Sequence, residues 1–143
     1  MKHILSILSA IVLLFAVIAC KETKKADGYT NDQMKQVMAL HDEVMPKMGV
    51  FGKLVKELKS KEDSTAMGLK YKQAREDLQA AHKNMMDWMK GFGDRFDSDE
   101  ILNGKALSKE KQAWLDEEEE KIKEVHRDIN SSINKAEALL STN

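Results

Sequence analysis

The chain has 143 residues, 33% of them charged and 42% hydrophobic, and its 23 basic and 24 acidic side chains leave a formal net charge of −1. A near-neutral surface of mixed sign provides no electrostatic basis for binding nucleic acid. The single cysteine excludes a framework of intramolecular disulfides.

An apolar segment occupies residues 4–18, directly after the positively charged start MKH. Its 15 residues are too few for a membrane-spanning helix, which needs about 20 residues, but a run of this length after a positive start is typical of a secretion signal. The run ends in VIAC, which resembles the lipobox of bacterial lipoproteins, where a small residue precedes the acylated cysteine. We therefore predict a signal peptide at residues 1–19 and a lipid-bearing Cys20.

The chemistry of a thiol suits an anchor at Cys20. Its sulfur can form the thioether to a diacylglyceryl group, and cleavage before it frees an amine for a third acyl chain. Each buried methylene contributes roughly 0.8 kcal/mol, so two or more chains anchor a protein to a membrane stably. Lys21 follows, rather than the aspartate that retains some lipoproteins in the inner membrane, and this favours the outer membrane. The alternative is an uncleaved helical anchor in which the cysteine is incidental.

The mature chain divides into a short polar segment and one domain. Residues 21–31 (KETKKADGYTN) are polar and have no helical pattern. We predict that residues 20–31 are the lipidated cysteine and a flexible tether, and that residues 32–143 form one helical domain with a core of modest size.

The first helical pattern spans residues 34–58, where apolar side chains recur at alternating steps of three and four. Pro46 interrupts it: the residue cannot donate to the carbonyl of Asp42 and its ring crowds that turn, so we predict a kink or a break. Gly49 and Gly52 weaken the helix there by roughly 1 kcal/mol each. The seam consists of Met34, Val37, His41, Val44, Met48, Phe51, Val55 and Leu58.

Two longer patterns follow. The second runs from about Ser64 to Lys90, where Gly91 and Gly93 are expected to end the helix, and the third opens at Ser108. Their seams are Tyr71, Ala74, Leu78, Ala81, Met85, Trp88 and Phe92, then Leu115, Glu118, Ile122, Val125, Ile129, Ser132, Ala136 and Leu139. Three apolar stripes without strand-like alternation predict an all-α fold, an antiparallel three-helix bundle with a kinked first helix.

Two segments of this bundle repeat one pattern. In each, a histidine is followed by methionines four and seven residues later, which puts three side chains on one helical face. If the chain reverses near residues 60–65, His41 and His82 lie at nearly the same height, and Glu118 of the third helix falls near that level. His126, roughly two turns further along, is left out.

Imidazoles and thioethers are ligands that copper(I) prefers. One interpretation is thus a copper site formed by His41, Met45, His82, Met86 and Glu118, and haem held by histidine and methionine is a further alternative. The other interpretation is structural: methionines fill irregular cores, and His41 with Glu118 can satisfy each other by a buried hydrogen bond.

No catalytic constellation is present in the sequence. It contains no HExxH and no phosphate-binding glycine loop, and no nucleophile with a base and an orienting group can be identified. We predict that the protein is not an enzyme. The leading hypothesis is a lipid-anchored binding or scaffolding module that contacts an envelope protein; the alternative is a periplasmic copper-binding protein.

The segments HDEVMPKMG and AHKNMMDWM, at residues 41–49 and 81–89, resemble a group of short lipoproteins of Bacteroidota, particularly flavobacteria. Many of these proteins carry the label "viral A-type inclusion protein", which reflects generic helical similarity and no viral function. The resemblance covers about residues 33–93 and implies an envelope-anchored helical protein. The family has no established biochemical activity, so the resemblance transfers no catalytic or binding residues.

Overall fold

The computed structural model describes residues 29–142 of the chain. These contain helices α1 (Tyr29–Val44), α2 (Phe51–Lys59), α3 (Ala66–Arg95), α4 (Ser98–Leu102) and α5 (Lys109–Ser141), with a 3-10 helix (Pro46–Val50) between α1 and α2. No strand occurs in this part of the chain, and none of its helices is long and apolar enough to cross a membrane. The predicted signal peptide and Cys20 lie outside the described residues, and α1 begins within the range predicted for the tether.

Three arms make the bundle: the first consists of α1, the 3-10 helix and α2, and the others are α3 and α5. Side-chain hydrogen bonds from the first arm to α5 advance together along both, from Gln33–Gln112 at 2.6 Å to Lys47–Asn130 at 2.8 Å. Contacts between α3 and α5 advance along α3 while they go back along α5. Asp77 pairs with Lys135 at 2.5 Å, and Arg95 pairs with Glu117 at 2.7 Å. The first arm and α5 are therefore parallel, α3 is antiparallel to both, and the predicted all-α bundle is confirmed.

Most of the predicted seam residues form the core, whereas His41, Met48, Val55 and Leu139 are only half-buried. Val37, Leu58, Leu78, Ile122 and Ile129 are completely buried, and full burial of such side chains contributes about 1.5–3 kcal/mol each. Towards the C-terminal end of α3, the aromatic rings of Trp88, Phe92 and Phe96 pack in a row with successive centroids 4.9 Å apart. One continuous apolar core thus runs the length of the bundle.

The first arm is broken where the proline predicts a break. α1 ends at Val44, Pro46 opens the 3-10 helix, and α2 starts at Phe51. Proline suits the first position of a helical turn, because its missing N–H would have no intrahelical partner there and its fixed φ matches the helix. The break therefore accommodates Pro46 without the cost of a proline in a helix interior.

The prediction that Gly91 and Gly93 end the second long helix is wrong. α3 continues through both glycines and ends at Arg95. Phe92 lies between them and is only 4% exposed. Lys90 pairs with Asp94 at 2.6 Å across the same turn. The burial of an aromatic ring outweighs a propensity cost of about 1 kcal/mol per glycine.

The turn from α2 to α3 folds closely over the start of α3. Thr65 caps the helix by accepting a hydrogen bond from the Gly68 amide at 3.0 Å, and Asp63 accepts one from the Thr65 amide at 2.8 Å. A Cβ at Gly68 would lie 2.5 Å from the Asp63 nitrogen and 2.6 Å from its carbonyl oxygen. Only glycine fits this close approach.

At the opposite end, α4 links α3 to α5. Asp97 and Glu100 form a capping box around its first turn, and the buried Glu100 carboxylate pairs with Lys111 at 2.6 Å. Ser108 caps α5, as its position in the sequence predicts, by accepting from the Lys111 amide at 3.2 Å. Both ends of the bundle are thus closed by specific polar contacts.

Candidate functional site

The structure brings the two histidine–methionine segments onto facing elements. The ring of His41 in α1 lies 5.7 Å from the ring of Trp88 in α3. Further along the first arm, the ring of Phe51 lies 6.2 Å from that of His82. Residues 41–51 of the first arm therefore run antiparallel to residues 82–88 of α3, with the break at Pro46 between the two contacts.

A cleft lined mainly by apolar residues opens between the first arm and α3 beside this break. We call it the methionine groove; it has a volume of about 440 Å³ and is lined by Met48, Phe51, Gly52, Val55, Leu78, Gln79 and His82. Leu78 is completely buried and forms its floor, whereas Met48 and Val55 are half-buried. No atom lies within 4 Å of the position that a Cβ on Gly52 would take. The absence of a side chain at Gly52 keeps the cleft open.

Two further methionines lie beyond the groove lining on the same face of α3 as His82. Met86 and Met89 follow His82 by four and seven residues, so the three side chains share a helical face. Met86 is 39% exposed and Met89 38%. Methionine is flexible and polarisable, and it can adapt to the shape of an apolar partner.

The predicted copper ligands do not lie at one level. His41 is opposite Trp88, and His82 lies six residues earlier in α3, which corresponds to about 9 Å along the helix axis. The expected match in height is therefore wrong. The 3-10 helix contributes about 2.5 Å to this offset, because each of its five residues rises about 2.0 Å instead of 1.5 Å.

Glu118 is already occupied by other partners. Its carboxylate is buried, with 2% exposure, and lies 3.0 Å from Arg95 and 2.8 Å from Lys121. His41 pairs with Asp42 at 2.8 Å, so the predicted His41–Glu118 hydrogen bond is not the one that forms. Met45 packs against the core, as the structural interpretation expects. Within the residues described, no group of three or more His, Cys, Asp or Glu could hold a metal ion.

A polar cluster joins the other side of the break to α5. We call it the break clamp: Glu43 lies 3.0 Å from His126, Lys47 donates to Glu43 at 3.1 Å, and Lys47 also donates to Asn130 at 2.8 Å. The hydrogen bond from His126, followed by that from Lys47, lowers the pKa of Glu43 below its ordinary value. Sequence reasoning left His126 out, although its i,i+4 spacing to Asn130 mirrors that of Glu43 to Lys47.

The opposite flank of α3 faces α5 across a polar cleft of about 370 Å³. Partial burial alone would raise the pKa of Asp77 in this cleft, but hydrogen bonds from Lys135 and Gln73 hold it below its ordinary value. These charged groups are already paired within the bundle. The polar cleft thus differs in chemistry from the methionine groove on the same helix.

No protein-family model, curated protein or solved structure matches this chain. What the methionine groove can do follows from its lining, in which His82 is the only titratable side chain. Nucleophilic or acid–base catalysis needs a second group beside such a residue. The groove offers apolar contacts from Met48, Phe51, Val55 and Leu78 together with the polar groups of Gln79 and His82.

Proposed function

We propose that the protein is a lipid-anchored, non-catalytic binding module of the cell envelope, and that its methionine groove receives an amphipathic helix of another envelope protein. The observation that carries the proposal is the open apolar groove beside the break at Pro46. Half-buried Met48 and Val55 form its sides, and exposed Met86 and Met89 extend it.

The spacing of side chains on this face of α3 favours a helix as the occupant. His82 and Met89 are seven residues apart, or about 10 Å along α3. That distance is two turns of a partner helix, enough for anchors at its positions i, i+4 and i+7. Methionine-rich surfaces accept apolar helices of differing shape because their side chains can repack.

The location of the module depends on the anchor at Cys20. Eight residues separate Cys20 from Tyr29, and an extended chain spans at most about 3.5 Å per residue. A lipidated Cys20 would keep α1 within about 30 Å of the bilayer. Replacing Cys20 with alanine should abolish labelling by a fatty-acid probe and leave an unprocessed precursor; unchanged labelling would contradict the anchor.

Site-specific photo-crosslinking in intact cells tests the groove. A photoreactive residue at Met86 should form discrete adducts with a membrane-associated protein, and the same residue at exposed Ala138 on α5 should form none. Gly52→Phe should fill the groove and remove the adducts. Gly93→Phe is the matched control, because a Cβ there also meets nothing within 4 Å but lies outside the groove lining. Adducts that survive Gly52→Phe would refute binding in the groove.

Metal analysis separates this proposal from copper binding. The domain without its lipid cysteine is exposed to copper(I) under reducing conditions, desalted, and its copper content measured. A helix-binding groove predicts metal-free protein. Stoichiometric copper that is lost in Met86→Leu, a change that keeps the side chain apolar, would instead support the thioether site.

A further inference from the structure

The end of the bundle from which the tether leaves also carries the α4 loop. Gln33, near the start of α1, contacts Gln112 and Asp116 near the start of α5. Arg95, the last residue of α3, contacts Glu117. The start of α1, the end of α3, α4 and the start of α5 therefore lie together; we call residues 29–33 and 95–112 the tether end.

Leu102 projects from this end. It is the last residue of α4 and is 77% exposed, more than any other large apolar side chain in the described part of the chain. Its neighbour Ile101, and Leu107 further along the loop, pack against the core. The loop is thus held to the bundle on both sides of Leu102, while Leu102 itself points into solvent.

Ion pairs brace the same loop and reduce its negative charge. Lys105 pairs with Asp97 at 2.7 Å, and Lys111 pairs with Glu100 at 2.6 Å. Gly104 takes a positive φ of 69°, which turns the chain back towards α5. A carboxylate that is paired with a lysine repels an anionic lipid surface less than a free one does.

We propose that the tether end rests on the membrane and that Leu102 inserts into the interface between lipid headgroups and acyl chains. The inference rests on the proposed anchor at Cys20. Burial of one leucine is too weak to recruit a free protein to a bilayer, but it can orient a protein that a lipid anchor already holds at high local concentration.

The reach of the tether selects this end of the bundle. The opposite end also exposes apolar side chains, with Leu69 at 56% and Met67 at 45%. However, α5 has 33 residues and is therefore about 50 Å long, whereas the tether reaches about 30 Å. Leu69 can reach the bilayer only if the bundle axis is inclined far from the membrane normal, because a tether of about 30 Å cannot hold the entry end at the full height of about 50 Å.

Depth measurement with a spin label tests the orientation. Acylated full-length mature protein carrying Leu102→Cys is labelled with a nitroxide; Cys20 is the only other cysteine, and its sulfur is used by the lipid. The protein is reconstituted into vesicles of phosphatidylethanolamine with a minority of phosphatidylglycerol. We expect the label at 102 to be several-fold more accessible to oxygen than to a water-soluble nickel chelate, compared with the same ratio at Leu69→Cys.

The outcomes separate the two claims. Protein that does not float with the vesicles would remove both the anchor and this inference. Protein that floats, but whose label at position 102 is as accessible to nickel as the label at position 69, would overturn the insertion of Leu102 and leave the anchor standing. A buried label at position 69 and an aqueous one at position 102 would also overturn it, since the tether end would then face away from the membrane.

Discussion

α3 packs against two neighbours, and the two interfaces leave different surfaces exposed. Towards α5, two unbroken helices of 30 and 33 residues meet along one seam, and the cleft beside it holds paired charges such as Asp77 and Lys135. Towards the first arm, the partner breaks at Pro46, and the cleft beside it is apolar. The two interfaces therefore differ in the side chains that line their clefts, which include charged groups beside α5 and are mainly apolar beside the first arm.

This difference is the reason for placing the proposed binding site beside the break. Places where local irregularity interrupts a regular pattern are often functional. Here the break is flanked by Gly52 in α2, which has open space beside it, and by Glu43 in α1, which belongs to the break clamp. The following predictions are ordered by expected effect.

The largest effect is expected in the continuous interface. Ile129 in α5 is completely buried, so Ile129→Ala should lower the free energy of unfolding by about 2–5 kcal/mol. Val55, on the half-buried wall of the methionine groove, should lose less than about 1 kcal/mol in Val55→Ala. Urea denaturation of both variants provides the measurement. Equal losses would mean that the groove wall is as tightly packed as the core.

The closed turn between α2 and α3 should tolerate less change than the glycines late in α3. Gly68→Ala places a methyl group against the Asp63 backbone and should cost about 1–3 kcal/mol. Gly93→Ala meets no atom within 4 Å and should increase stability by up to about 1 kcal/mol. Thermal unfolding of both variants measures the two changes in stability. A neutral Gly68→Ala would show that the turn can move away.

Pro46→Ala should change the stability of the broken arm by less than about 1 kcal/mol, because the proline opens a 3-10 helix and does not disrupt an α-helix interior. The break clamp, through Lys47 and Asn130, should keep the 3-10 geometry in place. Denaturation together with backbone chemical shifts of residues 44–51 provides the check. A gain of about 3 kcal/mol with continuous α-helical shifts would show that proline alone makes the break.

The smallest effect concerns the break clamp and pH. Because the pKa of Glu43 is lowered from 4.5 by His126 and then Lys47, its contribution to stability is present above about pH 4.5 and is lost as the pH falls through the lower folded-state pKa. Glu43→Gln should therefore be slightly less stable than the parent at pH 6, and the two should converge in acid. Urea midpoints between pH 7 and pH 3 measure the difference. If the difference between the two urea midpoints does not change with pH, ionisation of Glu43 is not its source.

Local chemistry made much of this fold predictable. Heptad spacing predicts three buried stripes, the ring of Pro46 predicts the break, and the hydroxyl of Ser108 predicts the start of α5. All three features depend on residues close together in the sequence. The continuation of α3 past Gly93 depends on how the aromatic rings after Trp88 pack, and this is a tertiary effect that propensity does not contain.

The candidate site was harder to predict, for a geometric reason. The sequence indicates that residues 41–48 and 82–89 face one another, and the structure agrees. Their relative height depends on the rise of the 3-10 helix, and the shared layer of His41, His82 and Glu118 does not form. The pairing of Glu43 with His126 and the exposure of Leu102 arise from the packing of separate arms and leave no signal in either segment alone.

An odd number of arms has a geometric consequence for anything joined to this domain. The chain enters at the tether end and, after three passes, leaves α5 at the opposite end. With α5 at 33 residues, the exit point stands about 50 Å from the entry point. In an upright bundle, a protein fused after Ser141 would therefore lie at that height above the surface to which the tether end is attached.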